Sequence, residues 1–66
     1  TPRTIEQIIL KDGWYFVRQV GSHRNYKHDI KQGKVTIPFH PRPKDIDKKT
    51  LGSIFKQAQL DKARYL

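Results

Sequence analysis

Trp14-Tyr15-Phe16-Val17-Arg18-Gln19-Val20-Gly21-Ser22-His23-Arg24-Asn25-Tyr26-Lys27-His28 is the stretch that decides the fold. Its first half is a run of aromatic and β-branched residues, which favours a strand over about 14–20. Gly21 punctuates the chain, and the polar residues at about 22–28, with Tyr26 among them, read as a second strand. A link this short cannot hold a parallel crossover, so the two strands pair antiparallel. Upstream, Thr4 followed by Gln7 fits a capping box, and Ile5, Ile8 and Ile9 recur on one helical face, which predicts a helix over about 4–12 with Gly13 as its terminating glycine. Downstream, Gly33 marks a turn before Val35-Thr36-Ile37, a third strand at about 34–38 that Pro38 ends or confines to an edge.

Pro41 and Pro43 then hold a loop, and Asp47 is a helix N-cap. Leu51, Ile54, Phe55 and Ala58 fall on one face of a second helix at about 48–60, leaving Asp61 to Leu66 as a tail. The expected fold is α+β, in the order α-β-β-β-α, with both helices on one face of a three-stranded antiparallel sheet and the other face left for a partner. Alternation along the strands puts Trp14, Phe16, Tyr26, Val35 and Ile37 on the helix-covered side, and His23, Asn25 and Lys27 on the opposite side. No internal repeat interrupts the pattern, so residues 1–66 are read as one domain.

At 66 residues the core must be thin. The chain has no cysteine, which removes disulfides and thiolate metal sites and favours a reducing compartment, the cytoplasm by default. No apolar run approaches the ~20 residues of a membrane-spanning helix. Fourteen Lys and Arg against six Asp and Glu give a formal charge of +8, the electrostatic footprint of a polyanion binder. Solubility, or the basic balance of a ribosome-associated fragment, is the plainer explanation. An anionic membrane surface is the weaker rival, since no basic amphipathic helix or lipid anchor is evident.

Chemistry concentrates in Gly21 to His28, which holds two histidines, a hydroxyl and two cations. Metal-free RNA cleavage needs a group that takes a proton from a ribose 2′-OH or gives one to the leaving 5′-oxygen, and histidine suits either role. Cations must offset the charge that builds on the phosphate, and Lys27, Arg24 and Arg18 are near enough in sequence to do so. Ser22 and His28 join them as RNA contacts. Against this, His23 is open to reading as an ordinary strand-end histidine on a solvated face, His28 as a residue packed at the hairpin end, and His40 as a loop residue.

The three histidines lack the helical spacing or cysteine partners of a zinc site, and Ser22 lacks an orienting carboxylate for serine catalysis. Tyr15, alternating outward, and Phe39, opening a loop, are the aromatics left free to stack on bases. Lys44, Lys48 and Lys49 form a basic cluster near the start of the second helix that suits phosphate.

Several motifs then line up with a known family. Gly13-Trp14, Val17-Arg18-Gln19, Gly21-Ser22-His23, Tyr26-Lys27-His28, Val35-Thr36-Ile37-Pro38 with His40, and Thr50-Leu51 with Ile54-Phe55-Lys56-Gln57-Ala58 resemble the HicA-type toxins of bacterial toxin–antitoxin pairs. The resemblance covers nearly the whole chain. It implies a double-stranded-RNA-binding-domain-like fold and a ribosome-independent endoribonuclease that cleaves mRNA until a HicB-type antitoxin neutralises it. It also implies that His23, in the Gly-Ser-His motif, is the catalytic histidine, and that no metal or other cofactor takes part.

The chain departs from the family pattern at Asp29, where proline is frequent, and at Lys49 and Gln59, where glycine is common. Two readings from other classes stand beside the ribonuclease. One is a non-catalytic basic RNA-binding module, which binds without cutting. The other is an interaction protein whose basic face complements an acidic antitoxin. On the ribonuclease reading, the antitoxin covers His23 and blocks RNA sterically.

Overall fold

The computed structural model describes residues 1–39 and 46–65. The first helix, α1 (Pro2–Lys11), starts earlier than the capping box suggests. The Thr1 hydroxyl accepts from the Thr4 amide at 3.3 Å, and Pro2 occupies the first turn, where its missing N–H would be unpaired in any case. The cap is therefore Thr1 rather than Thr4, whose own hydroxyl lies 2.9 Å from that of Thr1. At the other end, the Trp14 amide donates to Ile9 O and the Gly13 amide to Leu10 O, while Gly13 takes φ +104°. This is the paired closure that a glycine just past a helix permits, and it carries the buried Trp14 back onto the buried Ile9.

Three strands follow: β1 (Tyr15–Val20), β2 (His23–Lys27) and β3 (Val35–Pro38), an antiparallel sheet in the order β1-β2-β3. Gly21 and Ser22 form the two-residue turn between β1 and β2, with φ +59° at Gly21, a conformation such hairpins need and L side chains avoid. Ser22 thus lies in the turn and not in the strand. The pairing shifts between Phe16, opposite Tyr26, and Arg18, opposite Asn25, so Val17 is the extra residue of a β-bulge. The bulge has a large effect on facing. Strict alternation from Phe16 would turn Arg18 and Val20 toward the helices; the extra residue turns both to the opposite face instead.

The second helix, α2 (Lys48–Ala58), is capped by Asp47, whose carboxylate accepts from the Thr50 amide at 2.8 Å. Both helices pack on the same face of the sheet, chiefly over β3. Ile5, Ile9, Trp14, Tyr26, Val35, Ile37, Ile54, Phe55 and Ala58 form the core, with Ile8, Phe39, Ile46, Leu51 and Leu60 packed around it. Phe16 is the exception to the expected inward set. It sits across from Tyr26 with the ring centroids 6.0 Å apart, yet half of it is exposed, because β1 is the edge strand that neither helix covers. The expected tail also gains structure: Asp61 caps a short 3-10 turn at Lys62–Arg64, and Tyr65 tilts against Phe55. The proline loop with His40 and Lys44, and Leu66, lie outside the described residues.

Two polar links tie the layers together. Tyr26 donates its hydroxyl to Glu6 of α1, and Arg24 donates to the same carboxylate at 3.1 Å. Lys31 reaches Asp12 at 2.5 Å and the carbonyls of Ala58 and Gln59 at 3.1 and 3.2 Å, so one ammonium joins the C-terminal ends of both helices. Among the described residues no helix is long and apolar enough to cross a membrane.

Gln59 closes α2 in the left-handed region, φ 57° and ψ 45°, at the position where the resembled family commonly has glycine. A side chain in that region carries about 1 kcal/mol of strain. Gln59→Gly removes the strain and also an exposed Gln59 to Gln32 hydrogen bond. We therefore expect a net gain of about 0.5 kcal/mol or more, read as a melting temperature raised by a few degrees. A lower melting temperature would show that the side-chain bond outweighs the strain.

Candidate active site

The sheet face turned away from the helices is bare. Val17, Arg18 and Val20 from β1, His23, Asn25 and Lys27 from β2, and Lys34 and Thr36 from the third-strand region line an open cleft of about 590 Å³ there. That volume is in the range that accommodates ligands. His23, Asn25 and Lys27 alternate along β2, and Tyr26, between them, points into the core. The bulge at Val17 brings Arg18 into the same cleft. Thr36 lies directly opposite Asn25, and Lys34 follows from that register as the residue opposite Lys27.

Electrostatically the cleft is one-sided. Among the described residues its lining contains three cations, Arg18, Lys27 and Lys34, and no carboxylate. His23 is exposed at the hairpin end of β2, next to Val20 across the strand pair. The arrangement therefore offers a proton-transfer group beside cations on a surface open to a long polyanion. Val17 and Val20 supply an apolar part of the floor, and Tyr15, opposite Lys27, adds an exposed aromatic on the same face.

Of the residues singled out from sequence, the fold brings Arg18, His23 and Lys27 together. It does not bring Arg24, His28, Ser22 or Phe39 to them. Arg24 alternates to the helix side, where it holds Glu6 at 3.1 Å and Gln19 at 3.1 Å and lies 4.0 Å over the Phe39 ring. Phe39 is thereby covered rather than free to stack. His28 packs edge-on against Trp14; its Nε2 lies 2.7 Å from Asp12 O, and its Nδ1 accepts from the amides of Ile30 and Lys31. Two amide donors at Nδ1 place the ring proton on Nε2, so His28 is a structural bracket between α1 and the loop after β2.

Ser22 stays in the hairpin turn, where its carbonyl accepts from the Phe39 amide at 2.5 Å. Lys48 and Lys49 are exposed at the start of α2, away from the cleft lining. Lys34 and Thr36 were not singled out by sequence reasoning. Only cross-strand register places them beside β2. Among the described residues no three His, Asp or Glu side chains gather as a metal-binding group.

The family model for the HicA toxin of bacterial toxin-antitoxin systems matches residues 2–60. This chain belongs to the HicA toxin family. The match spans both helices and all three strands, so every cleft residue lies within the HicA-matched region. No curated protein matches the chain.

In this HicA-family toxin His23 makes no side-chain hydrogen bond with another described residue and is exposed. His23→Ala is therefore expected to change stability by no more than about 0.5 kcal/mol. Thermal melting of the two proteins checks this, and a large drop in the variant would make His23 part of the fold instead.

Proposed function

We propose that this toxin is an endoribonuclease that cuts mRNA on the bare face of its sheet, with His23 as the proton-transfer residue. The observation that carries the reading is the placement of an exposed histidine in a cleft whose described lining holds Arg18, Lys27 and Lys34 and no carboxylate. Membership of the HicA family supports it, since toxins of that family are generally ribonucleases.

In the reaction the ribose 2′-oxygen attacks the adjacent phosphorus, a 2′-O–P bond forms and the P–O5′ bond breaks. The products are a 2′,3′-cyclic phosphate and a 5′-hydroxyl. The 2′-OH loses a proton and the departing 5′-oxygen gains one; His23 performs one of these transfers and solvent water the other. Arg18, Lys27 and Lys34 hold the backbone and offset the negative charge that grows on the phosphate oxygens. The chemistry is complete without a metal or cofactor. Arg24 and His28, engaged on the helix side, serve the fold in this reading, and Ser22 shapes the turn that presents His23.

A toxin of this family works against an antitoxin. In our reading the antitoxin is a HicB-type protein that covers the cleft and with it His23, and both the toxin and its mRNA substrate are cytoplasmic. Charge favours such a partner having an acidic surface where it meets the cleft.

Incubation of a long unstructured RNA with wild type and His23→Ala, in EDTA throughout, tests the proposal. We expect wild type to cut and the variant to lose activity by at least 100-fold. Equal cutting by both would assign the chemistry elsewhere. Binding by both without cutting would leave a non-catalytic RNA-binding module.

A further inference from the structure

We propose that Asn25 is a substrate-contacting residue whose side-chain amide donates to a non-bridging oxygen of the scissile phosphate, and that Thr36 is the positioning residue that aims it. The proposal rests on the ribonuclease reading above. Asn25 lies two residues beyond His23 on the same face of β2, and both line the cleft. Thr36 is its cross-strand partner, and the Thr36 hydroxyl donates to Asn25 Oδ1 at 2.9 Å. The opposite end of the carboxamide, Nδ2, faces the His23 carbonyl at 3.4 Å. Two contacts thus agree on one orientation: oxygen toward β3, nitrogen toward His23.

An asparagine amide has two N–H donors, and the His23 carbonyl takes at most one. With Oδ1 turned to Thr36 and already accepting there, the donor end of Asn25 is the end that a ligand beside His23 meets. The nearest reacting chemistry is that of His23, where negative charge develops on phosphate oxygens. A neutral donor held in advance by a second side chain stabilises such charge without reorganising, as preorganised donors do. Thr36 is itself held, because its amide donates to Gln57 Oε1 of α2 at 3.0 Å, which fixes β3 against the helix at this residue. The chain of contacts runs from α2 through Thr36 to Asn25, and it ends beside His23.

The test is steady-state cleavage of a short single-stranded RNA with one mapped cut site, by wild type, Asn25→Ala, Asn25→Asp, Thr36→Val and Thr36→Ser, each checked for folding by thermal melting. Asn25→Ala is expected to lower kcat at least tenfold with KM within about twofold of wild type and the cut site unchanged. Asn25→Asp keeps the size and the bond from Thr36 but offers only acceptors, so its kcat falls at least as far. Thr36→Val loses part of kcat, and Thr36→Ser, which restores the hydroxyl, recovers it. If Asn25→Ala keeps kcat within twofold, loses only in KM, or shifts the cut site, as a base-reading residue would, the proposal is overturned while the ribonuclease reading stands. If wild type itself does not cut, both fall together.

Discussion

The packing of Tyr26 is the constraint on which the rest of this small protein depends. Its ring is fully buried at the centre of β2, and its hydroxyl is held by Glu6 of α1. Burial first, and then the Glu6 hydrogen bond, hold the Tyr26 phenol well above its ordinary range, so the neutral form is built into the fold. Side chains on a strand alternate, and a slip of one residue would exchange the buried and open faces. Anchoring Tyr26 inward therefore commits His23, Asn25 and Lys27 outward. The open cleft face exists because one aromatic residue on the other side has a single well-satisfied place to go.

Charge is sorted by the same division. The chain carries six acidic residues against fourteen Lys and Arg. Among the described residues four of those acids are engaged in bonds within the fold: Glu6 with Tyr26 and Arg24, Asp12 with Lys31, Asp47 with Thr50, and Asp61 with Ala63. The amide and hydroxyl of Thr50 hold the Asp47 carboxyl below its ordinary range, as expected for a cap in use. Among the described residues none of the acids lines the cleft, where Arg18, Lys27 and Lys34 meet. A net positive charge spread over the whole sequence becomes a local field on one sheet face, and this favours a polyanionic substrate.

The elements and their order were legible in the sequence because period, glycine punctuation and capping all agreed, and the inward set of Trp14, Tyr26, Val35 and Ile37 followed from alternation. Phe16 faced as alternation required but stayed half exposed, since edge position depends on where the helices settle and not on β1 itself. The start of α1 was misplaced because Thr1 with Pro2 and Thr4 with Gln7 are both sound start signals, and only the hydrogen bonds decide between them. The site was legible in part. Arg24 shares a face with Tyr26, so alternation already placed it away from His23, while proximity in sequence suggested otherwise. Arg18 reaches the cleft through the bulge at Val17, a tertiary choice with no local signature. Lys34 and Thr36 enter through register alone.

The most direct test of RNA binding on the bare sheet face is to map where RNA sits, using amide and side-chain NMR shifts of the protein titrated with an RNA in which 2′-deoxy substitution blocks attack. If RNA lies on the bare face of the sheet, the shifts cluster on Arg18, His23, Asn25, Lys27, Lys34 and Thr36. Shifts clustered instead on the outer faces of α1 and α2, with the bare face unchanged, would contradict this placement.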